Sequence, residues 1–268
     1  MASIRVFEAG HCTHRACVAL RGAGLSLCAF PSRAYLIEAG GKRWLWDTGY
    51  AQHFLDHTRS GLFAIYAAVT PVYFESSQAM VAQLRAQGMR PADLDGIILS
   101  HFHGDHVAGL RDFDGVPFIC SGAGWETTRR RTGVGALRRA FVPGLMPADV
   151  DQRVRAIESF EWVDLPASLA PFTHAWALPG SRGEVLLVDL PGHAAGHIGA
   201  FVQTGQGWTL LAADAAWSPL SYQELRGPSR LAGLIMEDTA AYYDTLRKLH
   251  QLHIGGGASI LLTHEGAL

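Results

Sequence analysis

The chain has 268 residues, of which 49% are hydrophobic, and a formal net charge of −2 at pH 7. This length allows one large domain or two small ones, and the charge gives no reason to expect a nucleic acid or an anionic membrane as partner. No apolar run is long enough for a signal peptide or a membrane span, and the four cysteines show no CxxC spacing. We therefore expect a cytoplasmic protein with reduced thiols.

Apolar residues that recur at every second position predict β-strands along most of the chain. Gly40 and Gly41 supply a two-residue turn between two of these strands, and residues 76–87 and 236–252 carry helical patterns. The predicted strands are 4–8, 33–39, 42–47, 96–100, 116–120, 159–163, 172–178, 184–190, 198–203, 208–213 and 258–262. Two strand-rich halves, each with outer helices, predict two packed sheets covered by helices on both sides, in one α/β domain of residues 1–268.

Three segments are harder to interpret from their sequence. The HCTHRAC segment, residues 11–17, predicts a loop with a structural or site-rim role, because its spacing fits no standard zinc pattern. Residues 50–75 are aromatic and irregular, which is equally typical of a packed cover and of the wall of a pocket. The arginines of residues 129–139 predict a solvated helix face, and the alternative is that one or two of them contact an anionic part of a substrate.

The stretch IILSHFHGDHVAG, residues 97–109, places three histidines and an aspartate within six positions after a buried strand. Side chains two positions apart in a strand or the following turn point the same way, so His101 and His103 can reach one metal ion. Asp105 and His106 present ligands about one residue further along. Imidazole and carboxylate groups are the ligands expected for zinc or another first-row cation.

Other strand ends also carry a polar side chain directly after a buried strand. His193 lies in a Gly-His turn, Asp214 follows the apolar TLLAA, and His264 follows the apolar SILLT. This shared pattern predicts that the three side chains converge with the motif on one edge of the sandwich. Asp47 ends its strand in Asp-Thr-Gly and is predicted to hold a ligand histidine by its other ring N–H, or else to be a simple turn residue.

The order of these residues resembles the metallo-β-lactamase fold superfamily. Its pattern is HxHxDH, then a His in a Gly-His turn, then an Asp and a final His, and all seven positions are filled here. The resemblance implies an αββα sandwich of two mixed β-sheets and two divalent metal ions, zinc first, with iron, manganese or cobalt as alternatives. It assigns His101, His103 and His193 to one ion, Asp105, His106 and His264 to the other, Asp214 to a bridge between them, and His197 to a supporting role beside the ligands.

Two such ions imply hydrolysis by a hydroxide that bridges them, because metal binding lowers the pKa of water from about 16 to about 7. Asp105 or Asp214 then carries the proton to the leaving group. Within the superfamily the chain is most similar to the N-acyl homoserine lactonase group, in length, in the Asp-Thr-Gly strand end and in the aromatic segment before the motif. We therefore expect a quorum-quenching type of lactonase or esterase, a monomer or homodimer, whose small-molecule substrate has an apolar or aromatic portion.

One position departs from the pattern of that group. Lactonases of the group place a tyrosine three residues after the bridging aspartate, where it contacts the substrate carbonyl, and this chain has Trp217 there. The expected substrate wall consists of Trp217, Phe54, Phe63 and Tyr66. A thioesterase or phosphodiesterase of the same fold is an alternative, and so is a metal-containing effector that binds a ligand and turns over little.

Overall fold

In the computed structural model, which describes residues 1–266, the strands form two sheets that share an apolar layer. The strands are β1 (Ser3–Arg15), β2 (Leu27–Ala39), β3 (Lys42–Trp46), β4 (Val72–Tyr73), β5 (Gly96–Ile98), β6 (Phe118–Cys120), β7 (Val154–Ala156), β8 (Glu161–Asp164), β9 (His174–Ala177), β10 (Val185–Asp189), β11 (Ile198–Thr204), β12 (Gly207–Ala213) and β13 (Ser259–Leu262). The helices are α1 (Ala16–Ala19), α2 (Gln52–Thr58), α3 (Ala64–Val69), α4 (Met80–Ala86), α5 (Gly104–Val107), α6 (Gly122–Thr128), α7 (Gly133–Leu137), α8 (Val150–Arg153), α9 (Pro219–Gln223) and α10 (Thr239–Gly255). Within the described residues, none of these helices has the length and apolar character needed to cross a membrane.

Both sheets contain parallel and antiparallel pairs. The first has the strand order β4-β1-β2-β3-β5-β6-β7, and its pairing changes from antiparallel to parallel at β3. The second has the order β13-β12-β11-β10-β9-β8, in which only β12 and β13 run parallel. The predicted αββα sandwich of two mixed sheets flanked by helices is therefore confirmed.

The two faces of each sheet pack into different apolar layers, because successive side chains in a strand point to opposite sides. Ile37 of β2 and Leu187 of β10 belong to the cluster between the two sheets. Leu36, on the other face of β2, belongs to a separate cluster that includes the buried residues of α4 and α10. Near one edge of the sandwich the Tyr35 hydroxyl donates a hydrogen bond to the Leu262 carbonyl at 2.9 Å, which joins the two sheets directly.

Several segments differ from their predicted structure. β1 extends well past its predicted end, so residues 11–17 form strand and then the start of α1 rather than a loop. It pairs with β2 across a register shift between Glu8 and His11, which periodicity along one strand does not reveal. Residues 50–75 contain α2, α3 and β4 rather than irregular chain, and residues 76–87 form a short 3₁₀ turn followed by α4. The strand β7 has no counterpart among the predicted strands.

Gly192 brings the chain that leaves β10 against the first turn of α10. Its φ of +121° lies in the region that favours glycine, and a Cβ atom there would lie 2.1 Å from the backbone nitrogen of Tyr242. Its carbonyl accepts a hydrogen bond from the backbone N–H of Asp238 at 2.9 Å. Both constraints act on the residue immediately before His193, and they determine the direction in which that histidine leaves the strand.

Gly192→Ala is expected to lower the free energy of unfolding by about 1–3 kcal/mol, because the new methyl group meets backbone atoms rather than a flexible side chain. Gly205→Ala is the matched control, since nothing lies within 4 Å of its Cβ position. Urea denaturation followed by circular dichroism measures both variants. Equal unfolding midpoints for the two variants would contradict this account of Gly192.

Candidate metal centre

The carboxyl ends of β3, β5, β10, β12 and β13 meet at one edge of the sandwich and bring histidines and aspartates together. These side chains form two groups, and in each group one donor atom per residue lies within 4.8 Å of every other. All of them are buried. The first group is His101, His103 and His193, and the second is Asp105, His106, Asp214 and His264. The structure thus brings together, from both sheets, all seven residues that the sequence predicts as ligands.

In the first group, the three imidazole rings pack edge to face against one another. His193 Nε2 lies 3.0 Å from His103 Nδ1, and the His101 ring is nearly perpendicular to both rings. Burial, together with the neighbouring histidines, holds the pKa of His101 and of His193 well below the usual range. Both rings are therefore neutral near pH 7, which is the form of imidazole that binds metal ions.

Asp214 lies between the two groups. Its Oδ2 is 3.3 Å from both His193 Nε2 and His264 Nε2, and its Oδ1 is 3.4 Å from His106 Nε2. Burial alone would raise the pKa of Asp214, but His264 and His106 hold it well below its usual value. Asp105 completes the second group, with Oδ2 3.5 Å from His264 Nε2. The Asp214 carboxylate is therefore within reach of ions held by either group.

Hydrogen bonds from outside the two groups orient two of the rings. His106 Nδ1 donates to Asp47 Oδ2 at 2.8 Å, and Asp47 also accepts bonds from the backbone N–H and the hydroxyl of Ser100, at 2.8 and 2.7 Å. His264 Nδ1 donates to the Pro31 carbonyl at 2.8 Å. In the neutral form of each ring these bonds place the proton on Nδ1 and the lone pair on Nε2, which faces the other members of the second group.

His197 lies beside the ligands rather than among them. Its Nε2 accepts a hydrogen bond from the backbone N–H of Asp214 at 3.2 Å, and its ring centroid is 4.9 Å from that of His101. The residue before Asp214, Ala213, has a φ of 45°, which is rare for a residue with a side chain. His197 thus supports the backbone at the sharp turn from which the Asp214 carboxylate projects.

A cavity of about 240 Å³ lies directly over the two groups. Its floor is formed by His103, Asp105, His193, Asp214 and His264, and its wall is mainly apolar, with Val18, Phe30, Ile65, Leu137 and Ile235 among the lining residues. Tyr66 and Trp217, both predicted as substrate contacts, line this cavity. A floor of polar donors under an apolar wall is typical of a small-molecule site.

Two of the predicted substrate contacts are corrected by the structure, because Phe54 and Phe63 are not part of the cavity lining. Phe54 is fully buried behind Tyr66, with the two ring centroids 5.2 Å apart. Phe63 precedes α3 and packs, half-buried, against the core. Their place in the cavity is taken by Tyr50 and by residues of α3 and α7.

The HCTHRAC segment contributes Cys12 and His14 to the cavity wall. This placement agrees with the site-rim role that is one of the two expectations for the segment, and period-two alternation in a strand puts both residues on one face. Burial and the Asp105 carboxylate raise the pKa of the Cys12 thiol to about 12, so the thiol stays protonated near neutral pH. His14 Nε2 lies 3.1 Å from the Thr70 hydroxyl, so the two groups satisfy each other.

Four of the five arginines of residues 129–139 form ion pairs, and none of the five lines the cavity. Nη2 of Arg131 lies 2.8 Å from both carboxylate oxygens of Glu237, and Nε of Arg139 lies 3.5 Å from one of them. The two arginines flank α7, which contributes Leu137 to the cavity wall. Their ion pairs with Glu237 therefore connect this wall to the segment before α10. The alternative prediction, that one or two arginines contact a substrate, has no support in the structure.

Comparison with known proteins identifies the family. Residues 29–255 match the metallo-beta-lactamase superfamily. The chain belongs to this superfamily. The resemblance inferred from the seven motif positions is thereby confirmed.

Relatives of this metallo-beta-lactamase superfamily chain are named as hydrolases. Two proteins named probable metallo-hydrolase, from Mycobacterium bovis and Mycobacterium tuberculosis, are 28% identical over 206 residues, which are 75% of this chain and 61% of theirs. The chain therefore covers less than two thirds of their length. N-acyl homoserine lactonase AiiB from Agrobacterium fabrum is 25% identical over 249 residues, 89% of this chain and 81% of its own.

The fold is shared with solved lactonase structures. An N-acyl homoserine lactone hydrolase with the product N-hexanoyl-L-homoserine at its catalytic metal center superposes with a TM-score of 0.73. The two chains are 21% identical, and the superposition covers 98% of this chain and 93% of the other. This likeness shows the fold, which agrees with the observed sandwich.

The residues of this superfamily member fit divalent metal ions. His101 Nε2, His106 Nε2 and Asp214 Oδ1 are buried and have no hydrogen-bond partner within residues 1–266. A buried polar atom without a partner costs about 1–3 kcal/mol, and a coordinated cation removes this cost. Imidazole nitrogens and carboxylate oxygens are donors that zinc and other first-row ions accept.

Asp47→Asn is expected to weaken metal binding by about 10–100-fold, because the neutral amide holds the His106 ring less firmly. The measurement is zinc retention against a competing chelator. Asp112→Asn is the matched control, since Asp112 makes the same kind of pair with His53, at 2.8 Å, away from the two groups. Equal zinc retention in the two variants would show that Asp47 does not orient a ligand.

Proposed function

We propose that the chain is a hydrolase with two divalent metal ions that opens a lactone or cleaves an ester bearing an apolar portion. The observation that carries this proposal is the position of Asp214, which contacts both groups of buried donors. Zinc is the proposed metal, and iron, manganese and cobalt are alternatives with the same ligand preference. In this proposal His101, His103 and His193 hold one ion, Asp105, His106 and His264 hold the other, and Asp214 binds both.

Ions held there would supply a hydroxide near neutral pH and polarise the substrate carbonyl, because metal binding lowers the pKa of water from about 16 to about 7. The protein's own groups then position the substrate and move a proton. Asp105 lines the cavity and is placed to carry a proton to the leaving alkoxide, with Asp214 as the alternative carrier. The apolar wall excludes water and orients the acyl portion of the substrate over the floor.

The cavity favours a neutral carbonyl substrate over a phosphodiester. No lysine or arginine lines the cavity in the described part of the chain, and two aspartates lie in its floor. A phosphodiester would therefore find no protein cation, whereas sites for phosphate commonly supply Arg or Lys. The names of the lactonase relatives support the same class of substrate.

The test is a panel of substrates offered to zinc-loaded protein, with proton release followed by a pH indicator. We expect N-hexanoyl homoserine lactone or a comparable lactone or ester to be hydrolysed faster than a thioester of matched acyl length and faster than a phosphodiester. Failure to hydrolyse any of the four classes would refute the hydrolase and favour the ligand-binding effector. A preference for the thioester or phosphodiester would assign one of the alternatives.

Substitution of the proposed ligands tests the metal assignment. His193→Ala and Asp214→Asn are each expected to lose metal and at least about 100-fold in activity together, since loss of a ligand costs more than loss of a hydrogen bond that orients one. His174→Ala, in an exposed ring on β9, is the control. An Asp214→Asn variant that keeps two metal ions per chain would contradict the proposal that Asp214 binds both ions.

A further inference from the structure

The one side-chain hydrogen-bond donor of Trp217, its indole N–H, is bonded to another residue of the protein. Its Nε1 lies 3.0 Å from Asp214 Oδ2, and an indole carries a single N–H group. The indole is 9% exposed and packs edge-on against the His193 ring, with centroids 5.7 Å apart. Trp217 therefore holds the Asp214 carboxylate and has no donor available for a substrate.

Tyr66 brings a hydroxyl group to the same cavity from α3. The phenol ring packs edge to face on Phe54, with centroids 5.2 Å apart and planes at 85°. A Cβ atom at Gly104 would lie 3.5 Å from Tyr66 Cε1, which neighbours the carbon that bears the hydroxyl. Gly104 lies between His103 and Asp105, so the hydroxyl end of the ring is next to the ligand-bearing loop.

The other polar side chains of the cavity wall are already engaged or less accessible. Thr70 and His14 satisfy each other at 3.1 Å. Tyr50 is 1% exposed, and Cys12, at 6%, carries only a weak S–H donor. Tyr66 is half-buried, so it is the strong donor of the wall that a bound molecule can reach.

We infer that Tyr66 is a catalytic residue, whose hydroxyl donates a hydrogen bond to the carbonyl oxygen of the substrate and to the negative charge that develops on it. This inference rests on the function proposed above. The two aromatic residues then have different roles. Trp217 donates its hydrogen bond to Asp214 from one part of the wall, and Tyr66 donates to the substrate from another part. A donor directed at developing charge contributes more in the transition state than in the ground state, so its loss lowers kcat more than it raises KM.

Tyr66→Phe is the decisive variant, because it removes the hydroxyl and keeps the ring that packs on Phe54. With zinc-loaded protein, kcat on N-hexanoyl homoserine lactone is expected to fall about 10–100-fold, with two zinc ions per chain and the unfolding midpoint unchanged. Calorimetry with N-hexanoyl-L-homoserine, the ring-opened product, is expected to show about tenfold weaker binding. Tyr73→Phe, in an exposed tyrosine that stacks on His11 outside the cavity, is the control and should match the wild type.

Trp217→Phe separates the two roles, since it removes the bond to Asp214 and is expected to lower zinc retention. The inference is wrong if Tyr66→Phe keeps kcat and product affinity within twofold of an active wild type, and in that case the proposed function stands. It is also wrong if only Trp217→Phe loses kcat at full zinc occupancy. If the zinc-loaded wild type hydrolyses no lactone or ester of the panel, the proposed function and this inference both fail.

Discussion

Seven buried donor side chains crowd together at one edge of the sandwich, and much of the structure serves to hold them there. Burial lowers the pKa of His101, whereas burial of His106 is outweighed by Asp105 and Asp214, which raise its pKa well above the usual range. Both histidines are fully buried, so charge in this cluster is balanced by neighbouring side chains rather than by solvent. A bound cation would relieve the cost of burying these groups, and each of the two groups draws its donors from both sheets.

Asp47 connects the first sheet to this cluster through hydrogen bonds. It follows β3 with a φ of 56°, a conformation that costs of order 1–3 kcal/mol for a residue other than glycine. Its buried carboxylate accepts three hydrogen bonds, two from Ser100 and one from His106, and bonds to a charged group contribute about 1.5–3 kcal/mol each. The bonds therefore outweigh the strain. Because β3 and β5 are parallel neighbours, the same carboxylate joins the ends of both strands.

Local patterns in the sequence are sufficient for the fold class and for the set of side chains that meet, because these side chains lie just beyond the ends of strands that are largely apolar. Long-range features were not accessible in this way. The extension of β1 depends on pairing with β2 beyond a register shift, and the choice between Phe54 and Tyr66 as the cavity residue depends on how α2 and α3 pack. The bond from Trp217 to Asp214 depends on a side-chain rotamer, which no spacing encodes.

The arginine-rich segment shows why charge in a sequence is a poor guide to substrate charge. Arg131 and Arg139 are partly buried and share the carboxylate of Glu237, so both guanidinium groups are held by the protein before any substrate enters. Ion pairs of this exposure contribute at most about 1 kcal/mol each to stability. The effect of these ion pairs on geometry is larger. They fix the part of the cavity wall that carries Leu137, and they keep both guanidinium groups out of the cavity lining. Under the proposed function, selection among substrates would then depend on the cations held in the floor, on the hydroxyl of Tyr66 and on the fit of an apolar chain.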